Sequence, residues 1–217
     1  MAQEKIIHYP NGAVKEKKDL QDGKMEGEYT TFFPSGQIMA QLHFINGKRN
    51  GPAISYFSHG QVREKANFIN DKMDGLYIAY YENGQVREEE SYKDGKLHGP
   101  YHRYYKSGDL REEENFQNGK FEGAYVCYYK NGQIKEKGIF VKDKREGDYI
   151  AYYKNGQIKE QATYKNGHLA GKFLTFNEDG VHMDEDASEE DGQARTWNEK
   201  DVANLLHDLT HFDKKQK

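Results

Sequence analysis

The chain has 217 residues, 31% of them charged, and a formal net charge of −4. A mean hydropathy of −1.10 leans toward a poorly packed chain, yet 17 Tyr and 11 Phe are more aromatics than disordered segments carry, so a thin, elongated fold with a largely aromatic apolar surface is expected. The mild acidity argues against a nucleic-acid partner, no run approaches the ~18 apolar residues of a membrane span, and a single cysteine, Cys127, excludes an intramolecular disulfide and suits a reducing compartment. The opening stretch MAQEKIIHYPNG has no apolar core for a secretory leader, so a cytoplasmic protein is expected.

From the first residues to about 182 the chain repeats itself. Glycines fall at Gly12, Gly36, Gly60, Gly84, Gly108, Gly132, Gly156 and Gly180, always 24 residues apart, and a second set from Gly27 to Gly171 keeps the same period. Each unit carries two turn signals, such as Asn83–Gly84 and Asp94–Gly95. Both dipeptides favour two-residue hairpin turns in which the two central residues take positive φ. Runs of nine to ten residues rich in Val, Ile, Tyr and Phe separate them, a usual strand length. Residues 1–182 therefore predict an all-β fold, an elongated antiparallel meander of about seven hairpin repeats and about fourteen strands.

A two-residue turn at Asn83–Gly84 sets Tyr81 opposite Val86 and Tyr80 opposite Arg87. The same arithmetic pairs Tyr56 with Arg63, Tyr104 with Arg111, Tyr128 with Lys135 and Tyr152 with Lys159. Where the cation is lost, Phe32 meets Met39 and Phe176 meets Met183, so the two positions change together, as a cross-strand pair should. One face of the sheet then carries Phe44, Phe68, Tyr92, Phe116, Phe140 and Tyr164 with Tyr77, Tyr101, Tyr125 and Tyr149, and this is the expected core face. The other face carries the Tyr–Arg/Lys ladder.

A glutamate column, Glu16, Glu64, Glu88, Glu112, Glu136 and Glu160, follows the ladder, and this register sets Glu88 opposite Tyr101 and Glu112 opposite Tyr125. A structural Glu–Tyr hydrogen-bond ladder and an acidic strip that meets a basic partner are both open readings. Glu89 and Glu113 point to the ladder face. The candidate partner-binding residues are therefore Tyr80, Arg87, Glu89, Tyr104, Arg111, Glu113, Tyr128 and Lys135, because rigid aromatics and arginine dominate interface energetics.

The unit, written YY-x-NGQ-(I/V)-(K/R)-E followed by Y-x-(D/N)-G-K-x-x-G-x-(Y/F), resembles the bacterial variant of the MORN repeat. Such repeats dominate the YwqK-family antitoxins, which look like immunity proteins encoded beside secreted polymorphic toxins. The resemblance implies a non-enzymatic protein, without cofactor or metal, that binds and neutralises a cognate toxin domain. The alternative it implies is a scaffold for protein complexes or membrane lipid headgroups, and clustered Lys/Arg of the kind anionic lipid needs is not evident in so mildly acidic a chain.

The period ends after Gly180. Residues 183–195 begin MDEDASEEDG and read as a solvated acidic linker. As a calcium loop the stretch fails, since Glu189 stands where the sharp turn needs glycine. Residues 196–213 predict an amphipathic helix, with Thr196 and Glu199 as a capping box and Val202, Leu205, Leu206, Leu209 and Phe212 on one stripe. It would either cap the last strand edge or dock on a partner. His207 and His211 share one helix face but lack a third metal ligand. No nucleophile pattern or phosphate-cradling loop is present, so no enzymatic activity is expected.

Overall fold

The computed structural model describes residues 2–183. Each strand pairs antiparallel with its neighbour in the chain, from Ala2–His8 against Val14–Gln21 at one end to Ile158–Lys165 against Leu174–Thr175 at the other. The all-β meander is therefore as the repeat predicts. Among the described residues there are nineteen strand segments, and four of the chain passes are split in two, as Lys120–Phe121 and Gly123–Tyr128 are. The helix expected over 196–213 and the acidic linker from 184 onward lie outside the described residues.

The two turns of each unit differ in kind. Asp94 and Gly95 both take positive φ, 51° and 78°, which is the two-residue turn expected of Asp-Gly. Where the glycine is replaced, Asp71 and Asp143 still adopt φ of 69° and 68°. Their carboxylates offset that strain by accepting the Arg49 N–H at 2.9 Å and the Phe121 N–H at 2.8 Å from the previous unit.

The Asn83–Gly84 turn departs from expectation. Gly84 has φ 84°, but Asn83 is not among the residues with positive φ. The Gly84 N–H donates to the Tyr81 carbonyl at 2.9 Å and the Tyr81 N–H to the Gln85 carbonyl at 2.8 Å. This is a three-residue loop whose glycine supplies the left-handed residue of a bulge. Asparagine is suited to it for a different reason than positive φ: its side-chain oxygen accepts the Gln85 N–H at 3.2 Å.

The bulge corrects the predicted pairing. Ala79 pairs with Glu88 and Tyr80 with Val86, so Arg87 is the extra residue of the bulge. The neighbouring hairpins do the same to Arg111 and Lys135. Tyr80 is therefore not opposite Arg87, nor Tyr104 opposite Arg111, nor Tyr128 opposite Lys135. A regular strand would put Arg87 and Glu88 on opposite faces. At the bulge the Arg87 guanidinium instead donates to its neighbour Glu88 at 2.7 Å, and Arg111 Nε lies 3.1 Å from Glu112.

A second bulge sits at the other glycine column. Leu97 pairs with Tyr92, but Tyr101 pairs with Glu90, a slip of two residues around Gly99. Gly99 has φ 113° and a Cβ there would lie 3.2 Å from the Ser91 Cβ, so no other residue fits without strain. Tyr101 consequently faces Glu90 and Glu114 instead of Glu88, and Glu112 pairs with Arg103 and Cys127 instead of Tyr125. A slip of two, unlike a slip of one, keeps every side chain on its original face.

The core face therefore survives the corrections. Four hairpins bring two of their rings together edge-on: Tyr29 with Phe44, Tyr77 with Tyr92, Tyr101 with Phe116 and Tyr149 with Tyr164, at centroid distances of 5.7–6.4 Å. Such pairs contribute about 0.5–1.5 kcal/mol each beyond area burial. Packing is densest toward the C-terminal repeats, where Tyr125, Cys127, Tyr149, Ala151 and Ala162 are all buried and Phe121, Phe140 and Tyr164 pack on them. Burial pushes the Cys127 thiol well above its ordinary range.

Candidate protein-binding surface

The face opposite this core carries a row of tyrosines, one per unit. In place of the expected partner across its own turn, each meets the residue fifteen positions earlier, on the preceding hairpin. The Tyr104 hydroxyl donates to Glu89 Oε2 at 3.1 Å and the Tyr128 hydroxyl to Glu113 Oε2 at 3.3 Å. Tyr56 donates to Gln41 at 2.9 Å. Lys65 lies over the Tyr80 ring at 5.8 Å and Lys137 over the Tyr152 ring at 5.9 Å. The row is thus acidic at its centre, at Glu89 and Glu113, with a lysine one unit away on each side.

Successive tyrosines stand about 10 Å apart, two strand spacings each. Ile78 and His102 flank Glu89, and His102 and Val126 flank Glu113, by direct pairing across the strands. Burial, then the adjacent glutamate charge, raises the Tyr104 and Tyr128 phenols above their ordinary range. They remain protonated donors at neutral pH, which fixes each ring against its glutamate. Carboxylates held at tyrosine hydroxyls suit a guanidinium or ammonium group from a basic partner.

Of the eight residues singled out from sequence, the structure brings Tyr104 to Glu89 and Tyr128 to Glu113 and places Tyr80 in the same row. Arg87, Arg111 and Lys135 leave it. Arg87 and Arg111 turn to the glutamates beside them, and Lys135 lines a cleft with Tyr105 and Arg111.

The sequence reading missed a charge cluster on the core face of the central repeats. Arg103 Nε lies 3.8 Å from Glu88 and its Nη1 3.5 Å from Glu112, with the Arg103 side chain 21% and the Glu112 side chain 5% exposed. Glu90 accepts the Tyr92 hydroxyl. Burial raises Glu90, and burial together with the Glu112 charge pushes Glu114 up to about 7. The signal was in the repeat columns. Arg103 stands where other units have Thr31, Ser55, Ala79, Cys127 and Ala151, and Glu90 and Glu114 stand where they have Leu42, Ala66, Gly138 and Ala162. Elsewhere the glutamate column does form the tyrosine ladder, at Tyr29 with Glu16 and at Tyr149 with Glu136 and Glu160.

Six consecutive segments, residues 25–46, 49–70, 73–94, 97–118, 121–142 and 145–166, match the MORN repeat variant and together cover more than half of the chain. The chain belongs to this family. Its array is a MORN-type, repeat-based binding scaffold. No curated protein sequence matches the chain. Among solved structures it is similar to part of the GtfA/B complex bound to UDP and GlcNAc, at 12% identity and a TM-score of 0.22, over 62% of this chain and 25% of that one. It is also similar to part of TcdB2-TccC3-Cdc42, at 10% identity and a TM-score of 0.23, over 81% of this chain and 13% of that one. The chain spans a quarter or less of the length of both, and at such TM-scores the likeness says nothing about function.

Proposed function

We propose that this MORN-repeat protein is a non-enzymatic, cytoplasmic immunity protein whose Tyr–Glu row binds and neutralises a basic surface of a cognate toxin domain. The paired anchors Tyr104–Glu89 and Tyr128–Glu113 carry this reading. Their side chains are fixed before binding, so little conformational entropy remains to be lost on association. The lysines at either end of the row would set the register of a partner whose charge is basic at the centre. The lone thiol, buried and held protonated, supports a reducing compartment and offers no nucleophile.

The test is growth rescue. A toxin-like domain encoded beside this protein, expressed alone, should arrest growth, and co-expression of the wild-type chain should relieve the arrest. The variant Tyr104→Ala/Tyr128→Ala, confirmed as folded by circular dichroism, should need at least ten-fold more expression for the same protection. Undiminished protection by the folded variant would place the contact elsewhere. An arrest that the wild type does not relieve would contradict the immunity role and leave the scaffold.

A further inference from the structure

Position 145 belongs to a repeat column that reads Met25, Arg49, Met73, Leu97, Phe121, Arg145 and Leu169, so a cation interrupts an apolar column at Arg49 and at Arg145. The two arginines are settled differently. Arg49 Cζ lies 4.3 Å from the Phe68 ring centroid. Its Nε is 3.2 Å from Asp71 Oδ1, and its Nη2 donates to the Asp71 carbonyl at 3.1 Å. In the repeat register, Gly167 stands to Arg145 as Asp71 stands to Arg49. The Gly167 N–H donates to the Arg145 carbonyl at 2.9 Å, but glycine brings no carboxylate.

Arg145 is instead caged by rings. Its Cζ lies 4.5 Å from the Tyr149 centroid, 5.4 Å from that of Tyr164 and 6.0 Å from that of Phe140. Rings offset the charge, but they take none of the five N–H donors as a carboxylate does. Among the described residues the guanidinium has no hydrogen bond and no carboxylate within ion-pair distance. The side chain is half-buried, and an edge of the guanidinium stays open to solvent.

A second donor without an acceptor points the same way. Tyr125 is 5% exposed, and its hydroxyl has no hydrogen-bond partner. Across the sheet it pairs with Gly138, where other units hold Leu42, Ala66, Glu90, Glu114 and Ala162. A Cβ at Gly138 would lie 2.7 Å from Tyr125 Cε1, so only glycine lets the ring lie across that strand. The hydroxyl is thereby directed toward the next chain pass, which carries Arg145 and Tyr149. Burial raises the Tyr125 phenol, and the Arg145 charge, the largest electrostatic influence on it, opposes the rise. Glu136 and Glu160 share the Tyr149 hydroxyl at 3.3 and 3.1 Å, and Glu160 also meets Lys159 at 3.0 Å.

We propose that Arg145 is the binding site for an external carboxylate, held at the rim of the Phe140, Tyr149 and Tyr164 cage with the Tyr125 hydroxyl behind it as a second donor. Arg49 with Asp71 shows the chemistry that this column accepts, a guanidinium against a ring with a carboxylate on its edge. The ligand is a small organic acid or the Asp or Glu side chain of another protein. The charges of Glu136 and Glu160 oppose its entry, so it binds exchangeably. The site lies on the core face, opposite the Tyr–Glu row, and its fate is separate from that of the immunity reading.

Arginine Nε–H resonances of the isotope-labelled full chain, followed while sodium acetate replaces sodium chloride at constant ionic strength, test this. The Arg145 resonance, assigned by its loss in Arg145→Met, should move and saturate, at least five-fold further than that of Arg49. The Gly138 and Phe140 amides should respond in the wild type and not in Arg145→Met, which copies Met25 and Met73. Gly167→Asp supplies the carboxylate from within the chain, in a column where Asp71 and Asp143 already take positive φ. It should weaken acetate binding at Arg145 at least five-fold. The blocked tripeptide Gly-Asp-Gly in place of acetate distinguishes the sources: tighter binding of the peptide identifies a protein segment, and tighter binding of acetate a small free acid. A response at Arg145 that does not saturate, equal movement at Arg49 and Arg145, or unchanged acetate affinity in Gly167→Asp would overturn the proposal.

Discussion

Replacing Arg103 with alanine is expected to destabilise the fold by about 3–5 kcal/mol at pH 8, the range for removing one partner of a buried ion pair. Arg103 faces Glu88 and Glu112, whose side chains are 12% and 5% exposed, and its charge also acts on Glu90 and Glu114. Without the guanidinium, four carboxylates share one poorly solvated patch, with Arg87 and Arg111 as the remaining counter-charges on Glu88 and Glu112. The loss should shrink at pH 5, because protonation then removes the repulsion. Replacing the whole exception should behave differently from replacing one member. Glu90→Ala/Arg103→Ala/Glu114→Ala copies the residues that neighbouring units use at Ala66, Ala79 and Ala162, and should recover most or all of the lost stability. Denaturant midpoints of the single and triple variants decide this. A loss below about 1 kcal/mol for Arg103→Ala would mean that the cluster is solvated like a surface pair.

Glu114→Gln is expected to stabilise the protein at pH 8 and to flatten its pH dependence. The Glu114 carboxyl titrates at about 7 in the fold against an ordinary value of 4.5. The folded chain therefore binds this proton more tightly than the unfolded chain, and stability falls as pH rises from about 4.5 to about 7. Above that window the penalty is constant, at about 3 kcal/mol by linkage. Glu90, raised by burial against the opposing hydrogen bond from Tyr92, acts in the same direction. Glu16 and Asp71 are held low by their hydrogen bonds, so the stability they contribute is lost only below the window. Wild-type protein should thus unfold at lower denaturant at pH 8 than at pH 5, with the difference largely gone in Glu114→Gln. An equal pH dependence in the two proteins would contradict this account of the cluster.

The meander and its core face were legible because the 24-residue period leaves little freedom in strand length. The ring pairs, such as Tyr101 with Phe116, follow from period and alternation alone. The ladder was not legible, because Asn-Gly is compatible with two turn geometries that differ by one residue in the pairing. At Asp94–Gly95 the two-residue form is present, and at Asn83–Gly84 the bulged one. That single residue moved Arg87, Arg111 and Lys135 away from the tyrosine row. The Gly99 column repeated as clearly as the turn glycines, but a period does not say that a glycine resets the register. Arg103 was visible as the exception in a column of small residues, and only its pairing with Glu88 and Glu112, with its charge acting on Glu90 and Glu114, shows why one exception required the others.

The most direct measurement is the affinity of the purified chain for the toxin-like domain encoded beside it, by titration calorimetry. Wild type should bind, and Tyr104→Ala/Tyr128→Ala should bind at least about 30-fold more weakly, equivalent to the roughly 2 kcal/mol of an interface hot spot, with its unfolding midpoint little changed. A folded double variant that binds with wild-type affinity would contradict the assignment of the Tyr–Glu row as the partner-binding surface.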